Sequence, residues 1–255
     1  MNQDTEVQVA VIGGSGLTAL DSFLEVATHQ VDTPYGATSA PIVEGILADK
    51  RIYFLARHGS NHTLAPHKIN YRANLWALHQ LGVRQIVSTN AVGGITAGYD
   101  AQAIVVPDQL IDYTYKREHS FCGDESFNIP HIDFTHPFCN VLRGRIINAA
   151  NSLDLDIVAS GVYGCTEGPR LESAAEIVRL ERDGCDLVGM TCMPEASLAR
   201  ELDMSYASIC LVVNKAAGKS DELISMKEIE AILNDSMSKV FELLQAIVPT
   251  LAHYK

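Results

Sequence analysis

The 255-residue chain reads as an α/β protein, a single domain with a central mixed sheet flanked by helices. Three observations predict this. Short apolar runs recur along the chain, helical patterns lie between several of them, and no linker, repeat or low-complexity tract interrupts the alternation. At 47% hydrophobic residues the chain can bury a substantial core, so one domain spanning 1–255 is expected.

The strands are read at residues 7–12, 51–56, 85–90, 103–106, 157–162, 186–190 and 206–213, each a short apolar run. Helix 71–81 places Leu75, Leu78 and Leu81 on one side, and helix 138–151 carries Val141, Leu142, Ile146 and Ile147. Helix 173–182 has Ser173 as its N-cap, and Pro194 opens helix 195–202. The last helix, 226–249, shows Ile229, Ile232, Leu233, Val240, Leu243 and Leu244 at helical spacing. Residues 114–133 are the least regular and read as a long functional loop.

Composition excludes several function classes. A net charge of −12 argues against nucleic-acid binding, which wants a basic face, but not against a small anionic substrate. Six scattered cysteines contain no C-x-x-C pair, so neither a disulfide framework nor a zinc site is expected. The first residues are acidic and polar, and no apolar run approaches the roughly 20 residues of a membrane helix. A cytoplasmic protein without membrane contact is the expectation.

Ligands of α/β proteins bind beyond the carboxyl ends of the strands, and here those ends carry a consistent chemistry. Strand 7–12 runs into Gly13-Gly14-Ser15-Gly16, where glycines admit an anion to the backbone. Gly14-x-Gly16-x-x-Ala19 also fits a loose dinucleotide fingerprint. That fingerprint wants an acid at the end of a second strand, whereas Val31-Asp32-Thr33-Pro34-Tyr35-Gly36 reads as a turn. Strand 51–56 delivers Arg57-His58-Gly59, and strand 85–90 ends in Asn90-Ala91-Val92-Gly93-Gly94. His62 and His67 match no zinc spacing. With Thr191 at a further strand end, these residues imply a metal-free anion site. Asn214, after the apolar run 207–213, offers one amide that both donates and accepts, the chemistry that tells one nucleobase from another.

Six segments in order, Gly13-Gly14-Ser15-Gly16, Ala56-Arg57-His58-Gly59, Asn70-Tyr71-Arg72-Ala73-Asn74, Asp108-Gln109-Leu110-Ile111-Asp112, Glu167-Gly168-Pro169-Arg170 and Val188-Gly189-Met190-Thr191 with Pro194-Glu195, resemble the trimeric purine nucleoside phosphorylase and methylthioadenosine phosphorylase family. The resemblance runs from about residue 7 to 248. It implies a nucleoside phosphorylase-like fold and an attack of inorganic phosphate on the anomeric carbon of a nucleoside, with the purine leaving. It implies no cofactor, phosphate being a co-substrate, and a homotrimer with the active site at the subunit interface. Ser15, Arg57, His58, Asn90, Ala91 and Thr191 would then hold phosphate, Met190 the ribose, and Leu171, Glu172, Asn214 and Ala216 the purine. Asn90 departs from the threonine of methylthioadenosine phosphorylases, and Leu171 from the phenylalanine common at the stacking position.

The family splits by base, and this chain resembles the members that take 6-oxopurines. They carry Asn followed by Lys where adenine-specific members carry aspartates at the positions of Asn214 and Ala216, and they carry a glutamate at Glu172. A 6-oxopurine has a protonated N1 that a carboxylate accepts; adenine would set acceptor against acceptor. At the 5′ end, Met226 stands where inosine and guanosine phosphorylases carry a histidine, and a thioether suits a soft apolar contact. His131 matches a histidine that reaches the 5′ pocket of a neighbouring subunit. Glu172, Asn214 and Met226 together predict methylthioinosine as substrate, with methylthioadenosine and then inosine or guanosine as the alternatives.

Overall fold

The computed structural model describes residues 8–14, 23–123 and 131–251. Its elements in chain order are β1 (Gln8–Gly13), β2 (Leu24–His29), β3 (Ile42–Leu47), β4 (Lys50–Ala56), α1 (Tyr71–Gln80), β5 (Val83–Gly94), β6 (Ile104–Val105) and β7 (Gln109–Asp112). They continue with α2 (Asn140–Ser152), β8 (Ile157–Val158), β9 (Val162–Cys165), α3 (Ala174–Arg182), β10 (Leu187–Gly189), α4 (Cys192–Glu201), β11 (Ser205–Lys215) and α5 (Met226–Leu251). The strands form one mixed sheet whose main path is β2-β3-β4-β1-β5-β10-β9-β7. β11 joins β5 and β6, and β8 joins β6. The pairs β1/β4, β1/β5 and β11/β5 are parallel, whereas β2, β3 and β4 form an antiparallel meander.

The strongest apolar runs became the central strands. β11 is buried from Tyr206 to Val213, as a parallel strand covered on both faces must be. α1 packs on α4 and β5, while α2 and α5 pack on one another and on β11. Each Leu, Ile or Val so buried contributes about 1.5–3 kcal/mol.

The differences from expectation have local causes. β2 was not anticipated because it is an edge strand that leaves Leu24 and Val26 exposed, so no buried alternation marks it. β3 carries the buried Glu44, and its Gly45 makes room for the Phe23 ring, which a Cβ would strike. β7 is a short, half-exposed strand. Run 157–162 divides into β8 and the start of β9, and strand 85–90 extends to Gly94. Ser173 caps α3 through a full capping box with Glu176. As expected, regular helix begins after Pro194; the span of α4 reaches back to Cys192 only across a kink in which Met193 and Pro194 are non-helical.

The site is positioned by β5, the longest strand. β1 pairs with β5 up to Ser88, and β10 takes over the same role at Gly93 and Gly94. Between them, residues 89–92 are paired by β11 alone among the described residues. The sheet therefore opens beside Thr89, Asn90, Ala91 and Val92. β11 bulges opposite the end of this opening, with Val213 as the extra residue between Val212 and Asn214.

Two substitutions probe this framework. A Cβ on Gly94 would collide with the backbone carbonyl of Tyr99, so Gly94→Ala should cost about 3 kcal/mol. Ser173→Ala, which removes only the α3 cap, should cost about 1 kcal/mol. Urea unfolding of both variants checks the order; equal losses would show that the 94–99 turn yields without strain.

Candidate active site

A cavity of about 1200 Å³ lies over the opening in the sheet. Its walls include Arg57, His58, Asn90, Ala91, Thr191, Met190, Leu171, Glu172, Asn214, Ala216 and Met226, residues from two strands, four connecting segments and a helix. Of the residues singled out from sequence, Ser15 lies outside the described residues. His131 is exposed and does not line the cavity.

At one end Arg57 leaves β4 and is 2% exposed. Its Nε donates to Glu195 Oε1 at 2.5 Å and its Nη2 to Glu195 Oε2 at 3.0 Å, a bidentate pair. Nη2 also donates to Ile12 O at 3.4 Å and Nη1 to Thr89 O at 3.2 Å. Burial alone would lower the guanidinium pKa, but the Glu195 carboxylate outweighs it and holds Arg57 above its ordinary value. One Nη1 hydrogen remains for a ligand, counting partners among the described residues. His58 Nδ1 lies 2.8 Å from Leu64 O. A carbonyl only accepts, so Nδ1 carries the proton and Nε2 is an acceptor in the neutral ring. Burial, then the Arg57 charge, pushes this imidazole down to about 4. The ring lies 4.6 Å from that of His62. No group of three His, Cys, Asp or Glu side chains suited to a metal occurs among the described residues.

Asn90 and Thr191 meet across the opening: Thr191 Oγ1 donates to Asn90 Oδ1 at 2.6 Å. Asn90 Nδ2 donates in turn to Ser208 Oγ at 2.6 Å and Ser88 Oγ at 2.9 Å.

The other end carries the base-reading residues. Asn214 lies within β11, which continues to Lys215, and not beyond its end. The bulge lets Val213 and Asn214, neighbours in sequence, both line the cavity. Asn214 Nδ2 donates to Lys215 O at 2.6 Å, which leaves one N–H and the carbonyl oxygen for a ligand. Lys215 itself pairs with Asp100. Glu172 Oε1 accepts from Thr166 Oγ1 at 2.6 Å. Beyond these, Ile224, Met226, Ile229 and Leu233 form an apolar stretch along the start of α5, with Met226 62% exposed.

Four residues that hold these walls carry no signature of that role in the sequence: Glu195, Tyr206, Thr166 and Arg117. Arg117 lies in the irregular 114–133 loop, yet its side chain is buried. Nη1 donates to Tyr71 Oη at 3.1 Å, Met190 O at 2.7 Å and Met193 O at 2.5 Å; Nη2 donates to Thr166 O at 3.1 Å and Glu167 O at 2.8 Å. One guanidinium thus ties the segment leading to Glu172 to the segment carrying Met190 and Thr191. A buried arginine has no signature in a single sequence; the length of the loop was the available signal.

Comparisons with known proteins point to one family. The phosphorylase superfamily model matches residues 8–249. A probable S-methyl-5'-thioinosine phosphorylase of Pseudomonas syringae pv. tomato is 51% identical over 91% of this chain and 94% of its own. A 6-oxopurine nucleoside phosphorylase of Pyrococcus furiosus is 42% identical over 95% of this chain and 92% of its own. A solved methylthioadenosine phosphorylase of Schistosoma mansoni, in complex with adenine, superposes with a TM-score of 0.91 at 33% identity, covering 98% of this chain and 93% of that one. With its sheet opening, its buried arginine and a match over nearly its whole length, the chain belongs to the phosphorylase superfamily.

Proposed function

We propose that the protein cleaves S-methyl-5'-thioinosine with inorganic phosphate, giving hypoxanthine and 5-methylthioribose 1-phosphate. The observation that carries this reading is one cavity that holds Glu172 and Asn214 at its polar wall and Met226 in its apolar stretch. Glu172 retains a free carboxylate oxygen among the described residues to accept N1–H of a 6-oxopurine, and the spare N–H of Asn214 suits O6. As negative charge builds on the leaving purine, the same amide can serve N7. The relatives named for a thioinosine and a 6-oxopurine support the base assignment.

In the anion end, Arg57, Asn90, Ala91 and Thr191 would surround phosphate, with Ser15 from the first glycine loop. His58 Nε2, an acceptor, suits the one P–OH of monohydrogen phosphate. A phosphate dianion beside an oxocarbenium-like sugar stabilises the transition state, and holding the two in line supplies the entropic share of the barrier. Met190 would lie against the ribose; the 5′-methylthio group would meet Met226. Phosphate is the co-substrate and no cofactor takes part. We assign the whole chain to one phosphorylase domain working in the cytoplasm as a homotrimer, in which His131, exposed on this protomer, completes a neighbour's 5′ pocket. Among the described residues no helix is long and apolar enough to cross a membrane.

Phosphorolysis rates on methylthioinosine, methylthioadenosine, inosine and adenosine test the assignment, with kcat/KM expected highest for methylthioinosine. Preference for methylthioadenosine would overturn the base reading, and preference for inosine the Met226 reading. Combining Asn214→Asp, Ala216→Asp and Glu172→Ser should shift the methylthioinosine-to-methylthioadenosine ratio of kcat/KM by on the order of a hundredfold toward the 6-amino substrate. An unchanged ratio would place selectivity elsewhere.

His58 supplies a pH test. Its folded pKa lies below the unfolded one, so its stabilising contribution is complete above about pH 6.5 and is lost as pH falls toward about 4. His58→Gln should escape this loss. Relative to pH 7, the variant should gain about 1–2 kcal/mol on the native protein at pH 5, a figure reduced for the partly exposed ring. Urea unfolding at the two pH values measures the gap, and a gap that does not widen would mean the imidazole is charged in the fold.

A further inference from the structure

Six buried polar residues form one hydrogen-bonded chain behind the anion end of the cavity. Arg57 donates to Glu195; Tyr206 Oη lies 2.9 Å from Glu195 Oε2 and 2.8 Å from Ser88 Oγ; Asn90 Nδ2 lies 2.9 Å from Ser88 Oγ; Thr191 Oγ1 lies 2.6 Å from Asn90 Oδ1. All six are at most 7% exposed.

Proton accounting gives the chain a direction. The Glu195 carboxylate only accepts, so the single phenolic proton of Tyr206 points to it. Burial first, then nearby Cys192 and Glu195, raises the phenol well above its ordinary value, so that proton stays in place. In the Tyr206–Ser88 contact the serine must then be the donor. With its hydrogen spent, Ser88 can only accept from Asn90, which turns the amide nitrogen toward Ser88 and the amide oxygen toward Thr191. An amide oxygen accepts, so the Thr191 hydrogen points to Asn90 and away from the cavity. In this arrangement Thr191 offers an incoming phosphate lone pairs, not a hydrogen.

We propose that Tyr206 and Ser88 are positioning residues that lock Asn90 in the orientation that withholds the Thr191 proton, so that phosphate binds only by working against this lock. The inference rests on the phosphate-site reading above. Releasing Thr191 while Asn90 stays put leaves a buried amide oxygen unsatisfied. Turning Asn90 over sets its oxygen against Ser208, which can donate, and against Ser88, whose hydrogen is committed to Tyr206 and which would therefore oppose it lone pair to lone pair. Ser208 is not committed, because its other contacts are weak sulfur acceptors, Cys210 Sγ at 3.3 Å and Cys192 Sγ.

Removing the lock should therefore tighten phosphate. In Tyr206→Phe the Ser88 hydrogen is free to reach the turned Asn90 oxygen, Asn90 then donates to Thr191, and Thr191 donates to phosphate. Calorimetric titration with inorganic phosphate should show Kd falling by about tenfold. The phosphate KM should fall in parallel while the nucleoside KM stays within about twofold. Ser88→Ala, which removes a small side chain and spares the Tyr206–Glu195 bond, should shift Kd in the same direction and answers the question should Tyr206→Phe not fold. Asn90→Asp, which can only accept from Thr191, should weaken phosphate. A structural role alone would leave phosphate affinity unchanged or weaken it in Tyr206→Phe and Ser88→Ala, and either result overturns the proposal. Failure of the native protein to bind phosphate would overturn the site reading itself, and the lock with it.

Discussion

Among the described residues, residues 89–92 of β5 have a strand on one side only, and the rest of the site depends on that gap. β1 stops at Ser88 and β10 begins at Gly93, so the sheet changes partners in mid-strand. A cavity at the point where neighbouring strands diverge is the general place for a ligand in an α/β fold. Here the gap also exposes the backbone and side chains of Asn90 and Ala91 to the cavity while β11 holds their other edge. The bulge at Val213 sits at the far end of the same gap and aims Asn214 into it. Phosphate chemistry and base reading are thus two ends of one interruption in one sheet.

The interruption exposes polar groups that the core cannot leave unpaired, and the solution is a network of buried hydrogen bonds. Arg57 and Glu195 neutralise each other at 2% and 1% exposure. Such a pair gains little net stability, because desolvating two charges offsets their attraction. It does fix geometry, since losing either partner strands the other in the interior. Arg117 acts similarly through five backbone and phenol acceptors, joining the wall that carries Glu172 to the wall that carries Met190. Both arginines brace the site from behind and have few hydrogens to spare for a ligand.

The sequence made the strands around this gap legible, because runs such as 206–213 are apolar throughout. It made the glycine-rich turns and Arg57 legible, because glycines and an arginine at the carboxyl ends of strands suit an anion. It did not reveal β2, whose apolar residues face solvent, or β3, whose pattern is broken by Glu44 and Gly45. Pro194 marked the start of the regular part of α4, but the kinked turn at Cys192 and Met193 before it left no pattern in the sequence. Every cavity residue named from sequence that lies among the described residues does line the cavity, His131 excepted. The bracing residues stayed hidden for a physical reason: Glu195, Tyr206 and Arg117 act through three-dimensional partners 11 to 138 residues away in sequence.

Charge alone does not explain why a dianion would enter. The chain carries −12 overall, and Arg57 is the one permanently cationic residue lining the cavity among the described residues. Its charge is already matched by Glu195, and His58 stays neutral because burial and Arg57 disfavour its protonation. Attraction must then come from oriented donors: the spare Nη1 hydrogen of Arg57, backbone N–H groups near the glycine turns, and hydroxyls. Oriented neutral donors act only if their protons point the right way. In a site built like this, the direction of a hydroxyl such as Thr191 matters as much as a full charge would elsewhere, and that direction is decided by groups two and three bonds deeper in the core.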